Sequence, residues 1–465
     1  MLRYFRINDP YRLIGLLVIA AILFIPPIID SPPVSIPELR SILIGERISH
    51  GAVPYVDIID PTAPLAMWFY GLIDALFGES LLARHLVAFL VIISQGVYIG
   101  LIFINRKVFS ESTYIPALLF IIFCAVSYDS LALSGELIGS GFLLLALNNL
   151  FKELEFRTKS DDTVLALGAY ISLASLSGFA YWVYFLAAGT IVVVYSRRDL
   201  RIFLLLLTGF VLPHLLLASF YFMTDNLESL LQYYYLPNLR FGSPALMSLQ
   251  GLLYLSLIPI LYAVVSVLIM NREARFSKYQ SQIFQSMLLW TVFSVVQIAF
   301  ARDLRAQSLI TAVPCLCYFV GHLLLLIRRR RFAEWSLWIL MLGVVMLGTL
   351  ARHNKLTGIN YGRLQVERER NWELTGKRIV VLDDNLSYYL GNALATPFVD
   401  WDLVRPVFSS VDYYRNVILI NEGFRDDYPD VIIDPGQTMP GVFDRIPHLA
   451  KMYREEERGR YVKAN

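Results

Sequence analysis

Eleven apolar runs of roughly bilayer-crossing length dominate this chain, and they confine it to one class: a polytopic α-helical membrane protein. A span needs roughly 20 mostly apolar residues to cover about 30 Å of hydrocarbon. Such runs fall near 13–29, 85–104, 113–127, 135–151, 163–178, 180–195, 202–223, 245–270, 283–300, 308–327 and 334–351. Composition agrees, with 56% hydrophobic and 17% charged residues, where soluble chains carry about 25% charge. The aromatic content excludes a disordered chain. A net charge of +2 is too small to suggest a nucleic-acid binder. Cys124, Cys315 and Cys317 lie inside apolar runs, which argues against a disulfide scaffold or a zinc ligand set.

Arg3, Arg6 and Arg12 precede the first run and no small-residue cleavage site follows it, so it reads as a retained anchor. A further apolar segment at 61–78 opens with two prolines and carries Asp74. Basic residues decide whether it crosses. If it does not, one side of the membrane holds the N-terminal arginines, Arg106, Lys107, Lys152, Arg157, Lys159, Arg197, Arg198, Arg201, Arg272, Arg275, Lys278 and Arg328 to Arg331. The other side's connections hold only Arg40, Arg47, Arg84, Arg240, Arg302 and Arg305. A crossing would scramble that separation. The segment therefore lies at the surface or dips in and returns, and the chain has about eleven transmembrane helices. Its N-terminus is cytoplasmic and its C-terminus is outside.

The chain divides into a transmembrane domain over 1–351, with a first outer loop at 31–83, and a tail over 352–465. The tail is charged and punctuated by Pro and Gly. Short β-branched runs at 378–383, 416–420 and 430–434 predict three strands, with helices near 361–375 and 385–392. The result is a small α/β extracytoplasmic domain. Asp383-Asp384-Asn385 follows the first of these runs, and a turn in which Asp384 or Asn385 caps the next helix explains it.

In the first outer loop, Ser35 and Glu38 form an S-x-x-E capping box with Pro37 in the first turn. Gly51 supplies the helix stop. Ile36, Leu39, Ile42, Leu43 and Ile48 make an apolar stripe, so this amphipathic helix is expected along the membrane surface. PYVDIIDPTAPL follows, with Asp57 and Asp60 three residues apart.

The order of these elements resembles the GT-C glycosyltransferases, in particular the protein-mannosyltransferase-like and aminoarabinose-transferase-like branch. The matching residues are Glu38, then GAVPYVDIIDPTAPL (51–65), LFGES (76–80), Arg84 opening the next span, and Glu136 at the outer mouth of a later one. Many spans followed by an outer soluble domain is also that branch's plan. One position departs: the branch's acidic pair reads Pro37-Glu38 here.

The resemblance implies a bacterial inner-membrane enzyme that takes a sugar from a polyprenyl-phosphate-linked donor on the outer face. The acceptor is a glycan, a lipid or a protein. A divalent metal is compatible with the chemistry and not required by it, and no metal ligands are assigned. The reaction needs a carboxylate to accept the acceptor's proton and cations to hold the departing phosphate. The outer acids are Glu38, Asp57, Asp60, Asp129 and Glu136, of which Glu38, Asp57, Asp60 and Glu136 are the catalytic candidates. Arg84, Arg240, Arg302 and Arg305 are the phosphate-binding candidates, since arginine grips phosphate oxygens two at a time. The expected groove lies between the first loop, the span mouth at Glu136 and the loop at Arg302.

Each candidate also has a plain structural reading. Glu38 caps its helix, Asp57 and Asp60 shape a turn, Glu136 complements a helix dipole, and Arg302 and Arg305 snorkel or pair with Asp303. Pro37 makes a catalytically inactive scaffold of the same fold the main rival, with a membrane-protein partner docking on the tail. A transporter fits less well, because the span cores hold essentially no ionisable groups and no two matching halves are evident. A polymerase of lipid-linked sugars would use the same donor.

Overall fold

The computed structural model describes residues 1–30, 32–155, 160–195, 200–240, 245–273, 276–366, 374–425 and 427–464. Arg157, Lys159, Arg197, Arg198 and Arg275 of the charge argument, and positions 367–373 of the expected 361–375 helix, lie outside these residues. The chain forms two compact units. The first comprises Met1–Pro32, Ser80–Leu217 and Phe241–Leu364; the second comprises Pro33–Glu79, Ala218–Arg240 and Gln365–Asn465.

The chain is mostly helical and polytopic. Among the described residues, eight helices are long and apolar enough to cross a membrane: Arg12–Ile29, Leu81–Asn105, Gly135–Leu154, Leu200–Met223, Leu249–Arg272, Lys278–Ala299, Ala306–Leu326 and Arg330–Arg352. The runs at 113–127, 163–178 and 180–195 form shorter pieces. Ile115–Cys124 has 10 residues, all buried. At 1.5 Å per residue it reaches about 15 Å, half the hydrocarbon thickness. Asp161–Ser177 ends at Gly178, and a 3-10 turn over Phe179–Trp182 leads into Val183–Tyr195. In the first unit the helices at Gly168 and Gly209 cross with backbones touching, each glycine facing a carbonyl of the other helix (Leu206 and Leu165). Small residues allow such close crossings where lipid gives helices no hydrophobic reason to associate.

In the second unit, Ile36–Ser49 and Pro64–Phe77 pack as a helical pair. The capping box is present: the Glu38 N–H donates to Ser35 Oγ at 3.4 Å, and Glu38 Oε2 accepts from the Ser35 N–H at 2.9 Å. Gly51 takes φ +96°, its N–H donates to Ile48 O, and the Ala52 N–H donates to Arg47 O. That is the Schellman closure expected of a glycine stop. The apolar stripe meets protein: Leu39, Leu43 and Ile44 are buried, and Ile48 presses on Gly71 of the second helix. Pro64–Phe77, at 14 residues, reaches about 21 Å, less than the hydrocarbon thickness.

The tail carries a five-stranded sheet: β1 (Arg378–Val381), β2 (Ala393–Leu394), β3 (Val431–Ile433), β4 (Tyr453–Glu457) and β5 (Arg460–Lys463), in the order β2-β1-β3-β5-β4. The β2–β1–β3 part is parallel, and β5 joins β3 antiparallel. Two expectations are corrected. The 416–420 run is helical, inside Tyr414–Arg425, because it buries Ile420 and Phe424, four residues apart on one helix face. The hairpin of β4 and β5, turned at Gly459 with φ +78°, adds strands that the charged sequence YREEE did not suggest. The described part of the expected 361–375 helix forms turns, and its Gln365 bridges Ser35. Asn385 does cap the short helix after β1, its Oδ1 accepting from the Ser387 N–H at 3.0 Å.

Candidate functional site

The acids of the second unit are in three different situations. Glu38 spends its Oε2 on the N–H and hydroxyl of Ser35, at 2.9 and 2.8 Å. Asp57 closes a turn, its Oδ2 accepting from the Val53 N–H at 2.7 Å. Asp60 is fully buried, its Oδ1 accepting from the Thr62 N–H at 2.8 Å. Among the described residues its Oδ2 makes no hydrogen bond, and it lies 3.6 Å from Arg40 Nε. Arg40 also reaches Asp400 at 3.8 Å. Burial pushes the Asp60 carboxyl above the usual carboxylate range; Arg40 opposes that rise and Asp400 adds to it.

The backbone around Asp60 is held on both sides. Tyr55 is buried at φ +64°, a left-handed conformation that costs a non-glycine residue. It is kept there by its hydroxyl, which donates to Thr62 O at 2.6 Å, and by stacking on Tyr234 at 5.6 Å. Tyr221 donates to Pro54 O at 2.9 Å. On the other side, the Ile59 N–H donates to Pro397 O at 2.7 Å and the Asp400 N–H to Ile59 O at 3.2 Å, a parallel bridge to the chain leaving β2. Arg240 is exposed at the end of the 218–240 segment.

In the first unit the residues converge on Arg305. Its Nη1 lies 3.0 Å from Asp129 Oδ1, its Nε donates to Glu136 Oε2 at 3.2 Å, and its Nη2 donates to the same oxygen and to Gln307 Oε1 at 2.7 Å. Gln307 returns the favour: its backbone N–H donates to Asp129 Oδ2 at 2.8 Å and its side chain to Ala132 O at 2.7 Å. Ser134 caps the Gly135–Leu154 helix and donates to Gln307 Oε1 at 2.6 Å. Arg305, Asp129 and Gln307 are each 2% exposed, whereas a fifth of the Glu136 side chain reaches the surface. Among the described residues every hydrogen bond to the Glu136 carboxylate falls on Oε2, so Oε1 is the oxygen on offer. Arg84 is buried in the first turn of Leu81–Asn105, and Arg302 is half-buried three residues before Arg305.

The two arrangements differ chemically. Asp60 is a poised carboxylate: buried, elevated and flanked by one cation and one acid, as proton acceptors in enzymes often are. Arg305 is committed to two carboxylates, and its effect is to fix Glu136 with one oxygen free. Sequence reasoning named Asp60, Glu136 and Arg305 but missed Arg40, Asp400 and Gln307 as their partners. Arg40 left a weak signal, as a basic residue on the side of the membrane that avoids them. Asp400, more than 300 positions from Asp60 in sequence, left none.

No family model matches this sequence, and no curated protein matches it significantly. Solved structures do. The crystal structure of ArnT from Cupriavidus metallidurans bound to undecaprenyl phosphate matches with a TM-score of 0.54 at 13% identity, over 97% of this chain and 97% of that one. The apo structure of the same protein gives 0.54 at 14% identity, over 97% and 96%. The chain therefore has the fold of ArnT.

Proposed function

We propose that this chain is an integral membrane glycosyltransferase of the bacterial inner membrane, moving a sugar from a polyprenyl-phosphate-linked donor to an acceptor on the extracytoplasmic face. The observation that carries the reading is the end-to-end likeness to ArnT, which covers 97% of both chains and was crystallised with undecaprenyl phosphate. In the reaction the acceptor oxygen attacks the anomeric carbon, the bond from that carbon to the phosphate oxygen breaks, and polyprenyl phosphate leaves. A carboxylate takes the acceptor's proton. Asp60 is our nominee in the second unit; Glu136, fixed by Arg305, is our nominee in the first. Arg84, Arg302 and exposed Arg240 are nominated for phosphate.

We also infer eleven crossings, a cytoplasmic N-terminus and an extracytoplasmic tail. Ion pairs within the first unit support this sidedness. Arg6 pairs with Glu111, Met1 with Glu334 and Arg106 with Glu155, all on the cytoplasmic side of an eleven-span chain. Asp30 pairs with Arg352 and Asp129 with Arg305, all on the outer side. A crossing by 61–78 would put Arg6 and Glu111 on opposite faces. The membership of the second unit agrees, since Pro33–Glu79, Gln365–Asn465 and the part of Ala218–Arg240 beyond the 202–223 run fall outside in that topology.

One observation favours a catalytically inactive scaffold as the second reading: Glu38, next to Pro37, is engaged in capping its own helix. Complementation separates the two. Glu38→Gln, Asp57→Asn, Asp60→Asn and Glu136→Gln are compared with wild type in the native host at matched expression, with extracted polyprenyl-linked sugars profiled. Loss of rescue with build-up of a lipid-linked sugar in Asp60→Asn or Glu136→Gln supports the enzyme. Full rescue by all four leaves the scaffold.

A further inference from the structure

The Asp60 carboxylate belongs to the first outer loop, yet two of the features that define its surroundings come from elsewhere in the second unit. Arg40, on the Ile36–Ser49 helix, lies 3.6 Å from Asp60 Oδ2 and 3.8 Å from Asp400. Asp400 sits where the chain leaving β2 begins the Trp401–Ser409 helix, capping it by accepting from the Leu403 N–H at 3.2 Å. The same stretch of tail bonds Ile59 through main-chain groups on either side of Phe398. All three side chains are largely out of water: Asp60 is 0% and Asp400 5% exposed, and the Arg40 side chain 17%. Among the described residues, the charged and titratable groups facing Asp60 are Arg40, Asp400 and, from its own loop, the Tyr55 phenol.

Resting on the glycosyltransferase reading, we propose that Arg40 and Asp400 are positioning residues that hold Asp60 in place and set the pH at which it is ionised, so that the tail governs proton acceptance in the first loop. Neither residue touches substrate in this account. Each acts through Asp60, and with opposite sign. The Arg40 cation favours the Asp60 carboxylate, whereas the Asp400 anion disfavours it. With both in place, a buried acid keeps a working ionisation range without an unpaired buried charge, which would be costly.

The test uses the full chain in detergent with a polyprenyl-phosphate-linked sugar as probe, and compares donor consumption against pH for wild type, Arg40→Gln, Arg40→Lys and Asp400→Asn. Removing the cation moves the acid limb of the profile up by roughly one pH unit, and removing the anion moves it down by a similar amount. Arg40→Lys leaves the limb near its wild-type position. Asp400→Asn is the safer variant to fold, because asparagine caps a helix as well as aspartate does. A uniform loss of rate with an unmoved limb, or shifts of the same sign in Arg40→Gln and Asp400→Asn, would overturn the proposal. A second readout does not need turnover: the infrared band of the protonated Asp60 carboxyl, recognised by its loss in Asp60→Asn, is titrated in the same variants. If wild type consumes no donor, the glycosyltransferase reading fails. Opposite infrared shifts then still uphold the coupling among the three residues, and unmoved bands remove it.

Discussion

Replacing Arg305 by methionine should be the most damaging single change in the first unit, and the structure gives the size of the effect. The guanidinium lies 3.0 Å from Asp129 Oδ1 and 3.2 Å from Glu136 Oε2. At an effective dielectric of 20 these two pairs attract by about 5 kcal/mol each. Most of that gain offsets the desolvation of three groups, two of them 2% exposed. Methionine fills much of the volume but takes the Arg305 cation away from two carboxylates, and breaking a buried pair in this way costs about 3–5 kcal/mol. Gln307 Oε1 also loses a donor, though Ser134 still bonds it. The triple variant Arg305→Met, Asp129→Asn, Glu136→Gln removes all the charges together and should recover at least half of the loss. The assay is unfolding in mixed micelles at increasing SDS fraction, followed by tryptophan fluorescence. A single variant within about 1 kcal/mol of wild type, or a triple variant no more stable than the single, would refute the reasoning.

Other parts of the account predict smaller effects. Ser35→Ala removes the hydroxyl half of the capping box and should cost about 1 kcal/mol, with faster amide exchange in the first turn of Ile36–Ser49. Asp60→Asn should be at least as stable as wild type at neutral pH. Because folding raises the Asp60 pKa, its contribution is most favourable at low pH and is lost as pH rises through the folded value; the two proteins should converge below the usual carboxylate range in unfolding experiments at stepped pH. Gly71→Val drives a side chain into Ile48 and should cost about 1–3 kcal/mol, read as a lower midpoint in the same micelle titration. Arg415→Ala breaks a pair with Glu228 in which both side chains are 71% exposed, so stability should change by less than about 1 kcal/mol.

How much of this was legible depended on whether the signal was local. The capping box at Ser35 and Glu38, the glycine stop at Gly51 and the Asn385 cap are spelled out within a few residues, and the structure has all three. The eight long helices follow from hydropathy alone. Local signals misled at 416–420, where β-branched residues suggested a strand and tertiary burial of Ile420 and Phe424 selected a helix. They were silent for the hairpin of β4 and β5, whose outer strand is nearly all charged. Long-range partnerships were beyond reach. Asp60 was visible as half of an acid pair, but Arg40 comes beside it only through the folding of the first loop, and Asp400 only because the tail pairs with Ile59. Arg305 was visible as an outer cation, but its commitment to Asp129 and Glu136 needs two loops far apart in sequence to meet.

The most direct test of the central claim is donor turnover by the purified chain: release of free polyprenyl phosphate from a polyprenyl-phosphate-linked sugar in the presence of membrane-extracted acceptor, for wild type, Asp60→Asn and Glu136→Gln. The account predicts steady release by wild type and a fall of at least about 100-fold in one or both variants, the usual scale for losing a general base. Release that is absent from wild type, or undiminished in both variants, would contradict it.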